Sequence, residues 1–382
     1  MTGAESRRAL RADVLRSCGA PPALVEELLA YGAAPEAPAE TARPAFPLPD
    51  EPHIESWLAY EREAKDAGVF AALARHFIQL RFPVRAGVSE EDAYRQATRK
   101  GVFSAADAFA PGLVLSRPGD LALTISPTMA GRIPVLVAGD RADFVALIQA
   151  FTERNEPAPV PPAMGACIVK GLNNWSRIAA YRDAWKRERP DATDEDWNEE
   201  FRQLIPHKAR YQDRMILLSR GPYSGIAAAA IGSDEDDWLA RSLVLRREHE
   251  FTHYFTYRVF GIMRNHVFDE LVADFVGLVR ALGRYRADLA LRFLGLEDFP
   301  RYRQGGRLEV YRGQPPLSDE AFAVVRALAV RAAANLETLS ERRRDTLQDL
   351  ASLGQLTFDL WKLSLEELAS AEMLTLLPWS ST

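Results

Sequence analysis

The sequence predicts a helix-rich α+β fold, and three observations predict it. Apolar residues recur at helical spacing through most of the chain. Short apolar runs bounded by turn residues are confined to about 112–138, 167–169 and 215–218. The composition, 47% hydrophobic and 26% charged, is that of an ordinary soluble globular protein. At 382 residues the chain is long enough for roughly two or three structural units.

Taken in order, residues from about 7 to 32 read as two short helices, the second with Leu24, Leu28 and Leu29 on one face. The stretch 33–52 holds Pro35, Pro38, Pro44, Pro47, Pro49 and Pro52, and reads as a linker or extended surface arm. A strongly amphipathic helix is expected from Ile54 to about Leu80, stopped by Pro83. A second is expected over Glu90–Thr98. Strands are expected at 113–115, 121–125, 134–137, 167–169 and 215–218. Helices are expected at 141–151, 174–188, 194–204, 235–259 and 267–283, and most of the chain from 316 on reads as helix. Ser233 followed by Asp234-Glu235-Asp236 marks a helix start. The expected division is an α+β unit over 1–160, a metal-binding core over 161–295 and a helical subdomain over 296–382.

The formal net charge of −6 argues against a nucleic-acid partner. The Arg342-Arg343-Arg344 run is flanked by acids and reads as a solvated face. Two cysteines, Cys18 and Cys167, make no disulfide framework. No run reaches about 18 apolar residues, and no signal-like apolar stretch follows Met1. A cytoplasmic protein without a membrane partner is the expectation. There is no P-loop and no G-x-G-x-x-G after a strand, so no nucleotide cofactor is signalled by motif.

The chemistry concentrates in Arg247-Glu248-His249-Glu250-Phe251-Thr252-His253-Tyr254, which contains H-E-x-x-H. Residues i and i+4 share a helix face, so His249 and His253 reach one metal ion from one side. Glu250 stands off that axis, placed to contact a metal-bound water as a general base rather than to ligate. Leu243, Val244, Leu245, Phe251 and Phe255 provide apolar surroundings. The glycine and third histidine of the metzincin pattern are replaced by Thr256 and Val259, which excludes that arrangement.

Downstream, Asp269-Glu270-Leu271-Val272-Ala273-Asp274 carries an E-x-x-x-D pattern. With it, residues 240–280 resemble the gluzincins, the thermolysin-like and aminopeptidase-like zinc metallopeptidases. The resemblance implies a zincin-like catalytic core, with Glu270 as the third metal ligand and Asp274 orienting a ligating histidine. Glu270 and Asp274 lie about one helical turn apart on one face, which agrees with that pairing. Asp269 is a competing ligand, and Asp274 itself is another.

A three-ligand zinc site lowers the pKa of bound water toward about 7 and polarises a carbonyl. Glu250 would take the water proton and return it to the leaving group. The donor for the developing oxyanion has no motif. Tyr254, Tyr257, Tyr223 and His266 are the candidates, with His266 and Tyr254 assigned to the catalytic set. His53, His76 and His207 have no partner at ligand spacing. The strand at 215–218, followed by Gly221-Pro222-Tyr223, is a candidate edge for pairing with an extended substrate. Asn173-Asn174-Trp175 either caps a helix or places amides in a cleft. The sequence thus leads to a Zn2+-dependent hydrolase of a peptide or small amide-containing substrate. A zinc enzyme acting on a small-molecule metabolite and a zincin scaffold used only for binding are the alternatives. Manganese, cobalt and iron suit two histidines and a carboxylate as well.

Overall fold

The computed structural model describes residues 3–33, 43–262 and 266–378. The fold is helix-rich with one small mixed sheet. It divides into two compact units, one formed by residues 1–48, 128–130 and 221–382, the other by 49–127 and 131–220. The expected boundaries at 160 and 295 differ from this division. The first cuts through a sheet whose strands come from both sides of it. The second separates helices that share one core.

In the unit of residues 49–220, the strands are β1 (Ala122–Ser126), β2 (Ile133–Ala138), β3 (Ala166–Asn173) and β4 (Gln212–Ser219), in the order β1-β2-β4-β3. β2 and β4 run parallel, while β1 and β3 pair antiparallel with β2 and β4. The continuous apolar runs of β2 and β4 suit interior strands covered on both faces. β4 therefore has neighbours on both edges, and the expected pairing of this strand with substrate is closed. Gly171, at φ +72, sits at the bulge that shifts the register of β3 between Lys170 and Leu172. Trp57, Phe77, Phe144, Leu136 and Met215 meet in the core. The helix expected to run to Leu80 instead stops at Ala67, where Gly68 takes φ +82, and restarts over Val69–His76. Leu113 and Leu115 are buried as expected of a strand, but the segment pairs with none. Asn174 caps the helix Trp175–Glu188 by accepting from the Arg177 N–H.

The other unit is helical. Its centre is the motif helix Glu235–Phe260, packed against the carboxylate helix Val267–Leu282. Asp234, one residue later than expected, caps the motif helix by accepting from Asp236 and Asp237 N–H. The helix Asp319–Arg342 lays Ala321, Val325, Leu328, Ala332 and Leu336 into the core. The helix Gly3–Ser17 is tied to the far end of the chain by Arg7–Glu367 and Arg11–Glu366 ion pairs. Much of the proline-rich stretch, 34–42, lies outside the described residues. The segment after residue 42 is no free arm, because Phe46 is buried against Phe255 and Phe358, at 5.1 and 6.1 Å between ring centroids.

The two central helices approach at Gly277, where a Cβ would lie 2.9 Å from the Leu245 carbonyl oxygen. Leu245 is one turn before His249, so this close approach sets the height of the ligands on the two helices. Gly277→Val is expected to lower stability by about 1–3 kcal/mol through overpacking, read as a lower urea midpoint. An unchanged midpoint would contradict the close approach.

Candidate metal centre

The motif helix presents its residues on distinct faces. Trp238, Ser242 and Arg246, spaced by four, strap the loop after β4. Trp238 donates to the Ile226 carbonyl (2.7 Å), Ser242 Oγ accepts from the Tyr223 N–H (3.0 Å), and Arg246 donates to the Gly221 and Pro222 carbonyls (3.3 and 3.2 Å). This anchoring brings the Tyr223 ring beside His249.

His249 and His253 lie with their Nε2 atoms 3.0 Å apart. Glu270 meets them from the carboxylate helix, Oε2 at 3.5 Å from His249 Nε2 and Oε1 at 3.4 Å from His253 Nε2. Donor atoms around a tetrahedral zinc with bonds of about 2.0–2.1 Å stand roughly 3.3 Å apart. The three side chains are nearly buried, with 8%, 12% and 9% of their surface exposed. They form a group that could hold a metal ion. The arrangement fits a divalent metal held by two imidazoles and a carboxylate, and its atoms do not distinguish one such metal from another.

Behind His249, Asp274 Oδ1 accepts from His249 Nδ1–H at 2.9 Å and from the Tyr223 hydroxyl at 2.6 Å. Its Oδ2 is ion-paired with Arg307, which also donates to the Tyr223 oxygen at 3.0 Å. With Nδ1 against Asp274, the His249 ring keeps Nε2 facing Glu270 and His253. Asp274 is thus engaged away from the ligand atoms, in the orienting position.

The protein's own charges offset one another at this site. Burial pushes the His253 imidazolium down, but the hydrogen bond and charge of Glu270, with Glu250 and Asp269 nearby, outweigh it and hold the pKa at about 9. Burial pushes Glu270 up, and the charges of His249, His253 and Arg307 carry it well below the carboxylate range instead. Asp274 is also lowered: burial opposes ionisation, but Arg307 and the His249 hydrogen bond prevail. Arg307 itself is held far above its ordinary value, because Asp274 and its neighbours outweigh burial.

Glu250 is partly exposed and has no hydrogen-bond or ion-pair partner among the described residues. The structure gives the other two expected catalytic residues different partners. His266 caps the carboxylate helix: its Nδ1 accepts from the Phe268 N–H (3.1 Å) and its Nε2–H donates to the Tyr31 carbonyl (2.9 Å). Both ring nitrogens are committed, so His266 has no proton to offer a substrate. Tyr254 is fully buried, and its hydroxyl accepts from Arg258, 3.2 Å away. Tyr223 faces the rear of His249 rather than the ligand atoms. The tyrosine that interacts with a ligand is Tyr311: burial raises its pKa, the Arg307 charge opposes this, and the Glu270 charge raises it further. Arg307 and Tyr311 lie on one short turn, Arg307–Tyr311, and were missed by sequence reasoning. Their i,i+4 spacing is their only signal, and it carries no motif.

The chain belongs to a family of unknown function, DUF7005, whose family model matches residues 13–372. No curated protein and no solved structure matches it. No helix among the described residues is long and apolar enough to cross a membrane.

The charges make metal binding and stability depend on pH. Below about pH 9 the metal-free His253 carries a proton that coordination must displace, so metal affinity should rise about tenfold per pH unit through that range. Proton release on zinc addition, measured by calorimetry in buffers of different ionisation heat, checks this; no release at pH 7 would contradict it. For the metal-free fold, the raised His253 contributes stability fully below its ordinary 6.5 and loses it as pH climbs through about 9. The lowered Glu270 and Asp274 contribute above their ordinary 4.5 and 3.8 and lose that contribution as pH falls. Separately, Arg307→Leu leaves Asp274 buried without its cation, and should weaken metal binding by about 10–100-fold in a chelator competition.

Proposed function

We propose that this protein is a zinc-dependent hydrolase that cleaves a peptide or amide bond, with His249, His253 and Glu270 holding the metal and Glu250 acting as general base. The observation that carries this reading is the convergence of two imidazoles and a carboxylate beside a second carboxylate, Glu250, that has no partner among the described residues. The gluzincin-like E-x-x-x-D on the second helix supports it, as does the Asp274 contact to His249. When bound, the metal supplies Lewis acidity toward a carbonyl and makes water a stronger acid at neutral pH.

The protein's own groups do the rest. Glu250 accepts a proton from the attacking water and delivers it to the leaving nitrogen. The Tyr311 hydroxyl, at the edge of the ligand set, donates to the substrate oxygen as negative charge develops there. Asp274, Tyr223 and Arg307 keep His249 in one tautomer and one orientation. Because β4 is an interior strand, recognition of a peptide by strand addition there has no support, and a small amide is an equal candidate for substrate.

The test is a screen of peptide and amide libraries by mass spectrometry, with zinc-loaded protein and Glu250→Gln in parallel. The proposal expects cleavage products with wild type, a loss of about 100- to 10,000-fold in Glu250→Gln, and undiminished metal content in the variant. Equal activity of the two proteins would overturn the role of Glu250. A metal-loaded wild type that cleaves nothing in either library would remove the hydrolase reading and leave a binding scaffold.

A further inference from the structure

The unit that carries the sheet holds a cleft of about 610 Å3, within the size range of small-molecule sites. Four cations line it, Arg75, Arg99, Lys100 and Arg182, and no carboxylate among the described residues does. That concentration stands out on a chain whose net charge is −6. Arg75 is paired with Glu63, and Arg182 with the exposed Asp194 at 2.8 Å. Arg99 and Lys100 are exposed and have no ion-pair partner among the described residues. They end the helix Asp92–Lys100, where its dipole offers them a favourable position but no discrete counter-ion.

The rest of the lining is aromatic. Trp175, Trp197, Phe201 and Phe103 border the same space. Trp175 is locked in place. Its indole N–H donates to the Thr98 carbonyl at 3.0 Å, and its ring lies against Gly101, where a Cβ would come within 2.5 Å of it. Gly101 also takes φ +71, so two constraints favour glycine at this position. Arg182 sits over the Trp197 ring at 5.5 Å. The helix Trp175–Glu188 begins at the cleft, with Ser176 in the lining. Of the two readings open to the Asn173-Asn174-Trp175 segment, the cap is the one seen here: Asn174 caps the helix, and it is Trp175, not an asparagine amide, that lines this cleft.

We infer that this cleft binds a planar aromatic ligand bearing phosphate, of the mononucleotide class. The aromatic side chains supply stacking surface for a base. The cations supply charge-assisted donors for phosphate, and two of them have no partner among the described residues to give up. Recognition of this kind uses side chains and needs no glycine-rich phosphate loop. A longer polyanion is disfavoured. The neighbouring cleft, bordered by the same two helices Trp175–Glu188 and Asp194–Leu204, is lined by Glu188, Asp191, Asp196, Glu199 and Glu200 against one cation, Arg189, a net negative lining that would repel a strand continuing in that direction.

The test is calorimetric titration of the full-length, chelator-treated protein with AMP, adenosine and inorganic phosphate. AMP should bind, and it should bind at least about tenfold more tightly than either phosphate or adenosine alone, because both stacking and ion pairing contribute. The double variant Arg99→Glu/Lys100→Glu changes two exposed side chains. It should keep the wild-type circular dichroism and thermal midpoint, and weaken AMP at least about tenfold. His249→Ala should leave AMP binding unchanged, which separates this site from the metal centre. No AMP binding at millimolar concentration, phosphate as tight as AMP, or undiminished binding in the double variant would each overturn the inference.

Discussion

The buried carboxylate of Asp274 is the constraint on which the metal-centre unit is built. It lies on the face of one helix that packs against another, 1% exposed, where an unpaired charge costs several kcal/mol. Three groups from three different segments meet that cost: Arg307, the Tyr223 hydroxyl and His249 Nδ1. Each of those segments must be held in turn. Trp238, Ser242 and Arg246 secure the Tyr223 loop. The motif helix secures His249. The turn Arg307–Tyr311 brings in the arginine and, four residues on, the tyrosine that feels the Glu270 charge. The outcome is an imidazole whose orientation is fixed by contacts of the protein itself.

The same arrangement explains how the fold tolerates the ligand set without a metal. Two carboxylates in a dry site would repel one another, yet both are held ionised by cations of the protein itself. Arg307 serves both Asp274 and Glu270, and a protonated His253 serves Glu270. A metal that displaces the His253 proton keeps a cation in the same place. Glu250, partly exposed, adds its charge to that of Glu270 in raising His253.

The parts legible in the sequence were those governed by local periodicity. His249 and His253 share a face because a helix repeats every 3.6 residues, and the helix Glu235–Phe260 arises from its apolar spacing and acidic first turn. Glu270 came from a pattern on the next helix, by resemblance as well as by spacing. The features that were not legible depend on contacts between distant segments. Arg307 and Tyr311 reach the site through chain folding that leaves no periodic trace. By sequence His266 joins the catalytic set as a candidate donor, but its position at a helix start makes it a cap. β4 read as a candidate edge from its place just upstream of the motif helix, although its continuous apolar run already suited an interior strand. The helix over Ile54–Leu80 read as continuous because its apolar stripe is continuous, while Gly68 breaks the backbone beneath it.

The central claim is that two imidazoles and the Glu270 carboxylate hold one metal ion. X-ray absorption at the zinc edge of zinc-loaded protein tests it most directly, with Glu270→Ala measured alongside. The account predicts two imidazole shells with nitrogen and oxygen neighbours at about 2.0–2.1 Å and no sulfur, and a loss of protein oxygen ligation or of the metal itself in the variant. A spectrum without imidazole scattering, or one identical in Glu270→Ala, would contradict it.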